Sequence, residues 1–142
     1  MTSRASRLAL AVVVGLLICL GGYQPASAQP TTLTITINYN GGTCSQSSSD
    51  GQAGPVINVN QSSQTVTYQS ATAVSTFQIS FSSCPFSSCP VTSTNGSGVS
   101  AGQPNASAVG NTYNYSSVTF GSGANQQSCN NPGSMGVHIR NP

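Results

Sequence analysis

From Thr32 onward apolar and polar residues alternate along much of the chain. Leu33, Ile35, Ile37 and Tyr39 alternate with Thr32, Thr34, Thr36 and Asn38, which predicts a strand with one buried face. Asn40-Gly41-Gly42 ends it. A polar stretch from Cys44 to Gly54, closed by Pro55, is assigned no strand. Val56 to Val59 predicts a short strand, Gln61-Ser62-Ser63 a turn, and Val66 and Tyr68 alternate again. Phe77, Ile79 and Phe81 predict the strongest core strand. Pro85 and Pro90 bracket a tight loop from Cys84 to Cys89. Residues 93–111 read as a long loop with one weak strand near Val99. Tyr113 and Tyr115 share one phase, and Val118 and Phe120 take the other. One extra residue near Ser116-Ser117 reconciles them, as a β-bulge does. Gly121 to Gly133 reads as loop. Val137 and Ile139 form a last strand, with His138 and Arg140 on its other face.

The first residues follow a different pattern. Arg4 and Arg7 precede an apolar run from Leu8 to Leu20, and Ala26-Ser27-Ala28 follows. That layout predicts a secretory signal peptide cleaved between Ala28 and Gln29. The run of 13 residues is shorter than the roughly 20 a spanning helix needs. Expected boundaries are therefore a signal peptide at 1–28 and one domain at 29–142, with no transmembrane segment after cleavage. Cys19 follows Leu16-Leu17-Ile18 in the manner of a lipoprotein signal. Ile18 stands where that signal wants a small residue, so release is expected rather than anchoring.

Composition reinforces the strand pattern. Residues 29–142 hold nine Val and five Ile against one Leu, with no Lys and no Glu. Most strong helix formers are missing, and β-branched residues suit a pleated surface. The expected fold is all-β: a single Greek-key-type two-sheet sandwich of about seven strands. Its large apolar side chains are few for its length, and a small thin core needs a staple. Cys44, Cys84, Cys89 and Cys129 can supply two disulfides, in any of three pairings, in an oxidising compartment. Cys84–Cys89 with Cys44–Cys129 is favoured. The first closes a loop already bent by Pro85, and the second ties the end of the first strand to the approach of the last.

Charge excludes more than it suggests. After residue 28 the chain carries Asp50 and Arg140 alone, a net charge of zero. Nucleic-acid binding needs several cations along one face, so it is not expected. A single carboxylate cannot serve as both general acid and base. Gly98-Val99-Ser100-Ala101-Gly102 matches G-x-S-x-G, but that motif works on a strand–turn–helix, and Gln103-Pro104 follows. Asn60, Asn95, Asn105 and Asn114 open N-x-S/T sequons, about as many as chance gives in so Asn- and Ser-rich a chain.

Val66-Thr67-Tyr68, Phe77-Gln78-Ile79-Ser80-Phe81 with Pro85-Phe86, Tyr113-x-Tyr115 and Gly136-Val137-His138-Ile139 together resemble the phase pattern of a cupredoxin-like or immunoglobulin-like sandwich. The resemblance implies a Greek-key sandwich that in some members carries copper. Copper sites of that kind use two His, a Cys and a weak Met. This chain has one His, and Cys129, Met135 and His138 come in a different order from that family's last loop. No metal, cofactor or catalytic residue is expected.

Two functions remain. The first is an exported, non-enzymatic protein of the extracellular space or cell envelope with a structural or assembly role. Thr-rich strands without edge lysines lack the usual defence against edge-to-edge pairing, against the equal alternative of a monomer whose edges are blunted by bulges and loops. The alternative is a secreted binding module for an uncharged ligand such as a glycan. Exposed Tyr39, Tyr113 or Tyr115 would favour binding; buried tyrosines would favour self-association.

Overall fold

The computed structural model describes residues 31–141 except 73, 75, 95 and 96. The expected signal peptide and the Ala28–Gln29 cleavage point lie outside the described residues. Among the described residues ten strands form: β1 (Thr31–Asn40), β2 (Thr43–Ser48), β3 (Val56–Asn60), β4 (Gln64–Ser70), β5 (Phe77–Phe81), β6 (Val91–Ser93), β7 (Val99–Gly102), β8 (Thr112–Phe120), β9 (Gln127–Ser128) and β10 (Gly136–Arg140). The only helical elements among the described residues are three 3-10 turns, at Ala106–Ala108, Gly123–Asn125 and Pro132–Ser134. None is long and apolar enough to cross a membrane.

The strands build a two-sheet sandwich. One sheet runs β2-β1-β4-β7; the other runs β3-β10-β8-β5-β6, with β9 beside β8. β1 turns into β2 through Gly41 and Gly42, both at positive φ, with Asn40 opposite Thr43. At Gly42 the positive φ calls for glycine, and a Cβ there would also push aside the Asn130 side-chain amide. β1 lies parallel to β4, and β3 parallel to β10. Parallel neighbours cannot be joined by hairpins, so the chain crosses between sheets instead.

Alternation sets the core. Leu33, Ile35 and Ile37 of β1 face Ile57, Val59, Val137 and Ile139 of the other sheet within one buried cluster. β8 changes phase where the sequence indicates. Ser80 pairs with Ser117 and Phe81 with Tyr115, so Ser116 is the extra residue. The bulge lets Tyr115, Val118 and Phe120 all point inward. Tyr68, Phe81, Phe86 and Tyr115 meet edge-on, with ring centroids 5.2–6.3 Å apart.

Two disulfides staple this core, Cys44–Cys129 and Cys84–Cys89. The first joins residues 85 apart in sequence. Closing a loop of that size is worth roughly 4–5 kcal/mol in the chain-entropy model.

The strand count exceeds the expected seven, and the difference lies in polar segments. The stretch from Cys44 to Gly54 begins as β2, not as loop. Its inward positions are Cys44 and Gln46, both buried, so the alternation is present but not apolar. The segment 93–111 contains the strand expected near Val99, which forms as β7. It holds β7, the end of β6 and a 3-10 turn, all built from small residues. The expected loop at 121–133 contains a 3-10 turn and β9.

Gln46 is the polar centre of the core. Its Nε2 donates to the carbonyls of Pro55 at 2.7 Å and Gly136 at 2.8 Å. Its Oε1 accepts the Tyr115 hydroxyl at 2.7 Å. One amide from β2 thus holds the approach to β3, the start of β10 and the middle of β8. Gly136 must be glycine, because a Cβ there would lie 2.3 Å from the Tyr113 carbonyl oxygen.

Replacing Gln46 by Leu keeps the volume but removes the Gln46 hydrogen bonds to the Pro55 and Gly136 carbonyls and to the Tyr115 hydroxyl; the Pro55 carbonyl keeps another donor, the Gly136 N–H. Gln46→Leu is expected to cost about 2–4 kcal/mol in urea unfolding, from the desolvation of those groups. A change within about 0.5 kcal/mol, the scale of an ordinary surface substitution, contradicts this role.

Candidate functional site

The residues able to carry chemistry are spread over the surface. His138 lies on the outer face of β10, with Nδ1 3.0 Å from Thr112 Oγ1. Arg140 is exposed at the end of the same strand. Asp50 sits in the turn after β2 and accepts hydrogen bonds from the Ser48 hydroxyl and from Gln52 Nε2. The Ser48 hydroxyl holds the Asp50 carboxyl below the usual carboxylate range; slight burial opposes this, and Gln52 adds to it. Ser100 lies within β7, where its hydroxyl accepts the Gly102 N–H at 3.2 Å. It is on a strand, not on a strand-to-helix turn, and shares no hydrogen bond with Asp50 or His138. Cys129 is in a disulfide and Met135 is buried. Among the described residues no three metal-ligating side chains come together.

The sheet edges carry the more specific geometry. On β3, Gln52 Oε1 accepts the Asn58 N–H at 2.8 Å, and Gln52 Nε2 donates to the Asn58 carbonyl at 3.0 Å. Gln64 Oε1 accepts the Asn60 N–H at 2.8 Å. On β2, Asn131 Oδ1 accepts the Cys44 N–H at 2.9 Å while Asn131 Nδ2 donates to the Cys44 carbonyl at 3.0 Å. A carboxamide offers one acceptor and donors in a plane, as a peptide does. Gln52 and Asn131 therefore act as one-residue strands laid along the edges. The 49–55 turn completes the cover, with Gly54 N–H donating to the Gln46 carbonyl and Ser48 N–H to the Gln52 carbonyl.

These clamps correct the expectation of undefended edges. The β2/β3 flank is closed without a single lysine. The opposite flank differs. There β6 and β7, of three and four residues, lie at the edges of their sheets. No side-chain amide of the described residues bridges their backbone. A groove of about 230 Å³ runs between them, lined by Pro90, Val91, Thr92, Val99, Ser100 and Ala101 with Ser88. The loop beside it is held by Cys84–Cys89 and by Phe86, which is buried against Tyr68 and Phe81.

The tyrosines do not form an exposed cluster. Tyr68 and Tyr115 are fully buried, Tyr39 packs on Phe120, and Tyr113 is half-buried. Burial pushes the Tyr68 and Tyr115 phenols well above their ordinary value, and the neighbouring Tyr115 raises Tyr68 further. The Tyr68 hydroxyl lies beside Tyr115 without a hydrogen bond of ordinary geometry. Of the sequon residues, Asn105 Nδ2 donates to the Phe86 carbonyl, Asn60 is half-buried and Asn114 is exposed; Asn95 lies outside the described residues.

Gln46, Gln52, Gln64 and Asn131 were not singled out from the sequence. Gln46 alone left a signal there, two residues after Cys44 in the inward phase of an alternation. Gln52 and Asn131 act from loops and Gln64 from the first position of β4, where no apolar periodicity marks them.

Two measurements follow from these positions. Cys84 is exposed and Cys89 half-buried, whereas Cys44 and Cys129 are 4% and 6% exposed. A mild reductant acting on the native protein is expected to open Cys84–Cys89 first, with Cys44–Cys129 still intact by alkylation and peptide mapping. Simultaneous loss of both contradicts the burial difference. The raised phenols set an alkaline limit. Their folded values lie above the unfolded value near 10, so the stability they contribute is complete below that pH and lost as pH rises beyond it. The melting temperature is expected to fall steeply above about pH 10, and an unchanged value at about pH 11.5 contradicts it.

Compared with known proteins, the chain matches no family model and no curated protein.

Proposed function

We propose that this is an exported, non-enzymatic structural protein of the extracellular space or cell envelope, which associates with further copies of itself through its β6/β7 flank. The resemblance to cupredoxin-like and immunoglobulin-like sandwiches belongs to the same proposal, as a scaffold without a copper site. Two disulfides are compatible with an oxidising compartment, extracellular or periplasmic.

The observation that carries the reading is the asymmetry of the edges. Gln52, Gln64 and Asn131 occupy the backbone groups of the β2/β3 flank. On the other flank, β7 is an edge strand of four residues with Ser100 exposed. Its groove offers exposed Pro90, Thr92 and Ser100 and half-buried Val99 between two strand edges, over buried Val91 and Ala101. A second copy presenting the same flank would extend both sheets by strand addition, and a two-fold axis would make the contact self-complementary. Zero net charge after residue 28 leaves nothing to oppose the approach. Buried Tyr68 and Tyr115 support association over ligand binding at those rings.

The test is the native mass of the protein and of two variants. Wild type is expected to form dimers or larger species as concentration rises. Ser100→Lys, which places a charge on the β7 edge, is expected to shift the population to monomer with its melting temperature within a few degrees of wild type. Gln52→Ala is expected to add a second mode of association by opening β3. Wild type that stays monomeric at millimolar concentration sinks the proposal, as does association indifferent to Ser100→Lys.

A further inference from the structure

We propose that the cleft at the start of β8 is a subsite for one neutral saccharide ring. This site is separate from the β6/β7 flank and does not depend on association there. The cleft has a volume of about 440 Å³ and is lined by Ser82, Ser83, Asn111, Thr112, Tyr113 and Asn114. Every lining residue is polar and uncharged.

Its walls are fixed before any ligand arrives. The Ser82 N–H donates to the Asn114 carbonyl at 3.2 Å, and the Ile139 N–H donates to the Asn111 carbonyl at 3.0 Å. The Cys84–Cys89 disulfide begins at the next residue but one after Ser82. Ordering cost on binding is therefore small. The hydrogen-bonding capacity inside is largely free. The Ser82, Ser83 and Asn114 side chains bond to no other described residue. Asn111 uses Nδ2 on the Val109 carbonyl, at 3.3 Å, and keeps its Oδ1. The Thr112 hydroxyl is held by His138 Nδ1. Tyr113 is half-buried and packs against the core, which holds this part of the wall in place.

This set selects by chemistry. No cation lines the cleft to hold a phosphate or sulfate. No apolar wall suits an acyl chain. Hydroxyls and amides that both donate and accept match the hydroxyl groups of a saccharide ring. That ring could belong to a structural polysaccharide or to the glycan of a glycoprotein.

The test is a titration of the isotope-labelled domain, followed by amide chemical shifts, with cellohexaose, chitohexaose and an oligomannose. Shifts are expected to be confined to Ser82, Ser83 and Asn111–Asn114 with at least one sugar. A response to cellohexaose or chitohexaose identifies a structural polysaccharide, and one to oligomannose a glycoprotein glycan. Asn114→Arg, which fills the cleft from an exposed position, is expected to weaken binding by about tenfold or more. Ser45→Arg, on the outer face of the other sheet, is expected to leave it unchanged. Absence of shifts with all three sugars at about 10 mM, the millimolar limit of weak binding, overturns the proposal. So does a response centred elsewhere or one indifferent to Asn114→Arg. Thermal melts of both variants establish that they are folded.

Discussion

The carboxamide side chain takes the place of charge throughout this structure. The described residues contain one carboxylate and one guanidinium, and neither pairs two strands or two sheets. A sandwich still has to satisfy its buried polar groups and its edges, since an unpaired buried group costs about 1–3 kcal/mol. Gln46 does this in the core and Gln52, Gln64 and Asn131 at the rim. An amide carries both a donor and an acceptor. It can therefore replace a missing peptide partner where an ammonium or carboxylate could satisfy only half of one.

The packing follows from those positions. Gln46 requires Tyr115 to point inward, and Tyr115 points inward because Ser116 bulges out of β8. Asn131 reaches the Cys44 backbone because the Cys44–Cys129 bond holds its loop against β2. Gln52 reaches Asn58 because the turn carrying Asp50 folds back on β2. Each clamp thus depends on a longer-range contact, and together they close one flank of the sandwich. The other flank is bounded by short strands and the Cys84–Cys89 loop, where Phe86 anchors the loop to the aromatic cluster.

The apolar half of this design was legible in the sequence. β1 and β5 alternate over enough residues to be unambiguous, and the phase change between Tyr115 and Val118 located the bulge. An all-β sandwich was expected from the Val and Ile content, and a two-sheet sandwich is what forms. Strand β2 was not legible, because its inward positions are a cysteine and a glutamine. β6 and β9 are too short to carry a periodic signal, and β7, with small residues after Val99, carries only the weak one that placed a strand there. The clamps were invisible for a different reason. A glutamine that caps an edge and a glutamine that faces water look the same in a sequence, and what separates them is the fold around a turn. The absence of lysine suggested open edges, but edge protection is a matter of hydrogen bonding as much as of charge.

Hydrogen–deuterium exchange resolved to single amides, at low and high protein concentration, tests the central claim most directly. The account predicts that the Cys44, Asn58 and Asn60 amides are strongly protected at both concentrations, because side-chain carbonyls hold them within one molecule. Amides of β6 and β7 should exchange faster when the protein is dilute and become protected as it is concentrated. Fast exchange at Cys44 and Asn58, or protection gained on β2 and β3 with concentration, would show that the closed flank is the open one.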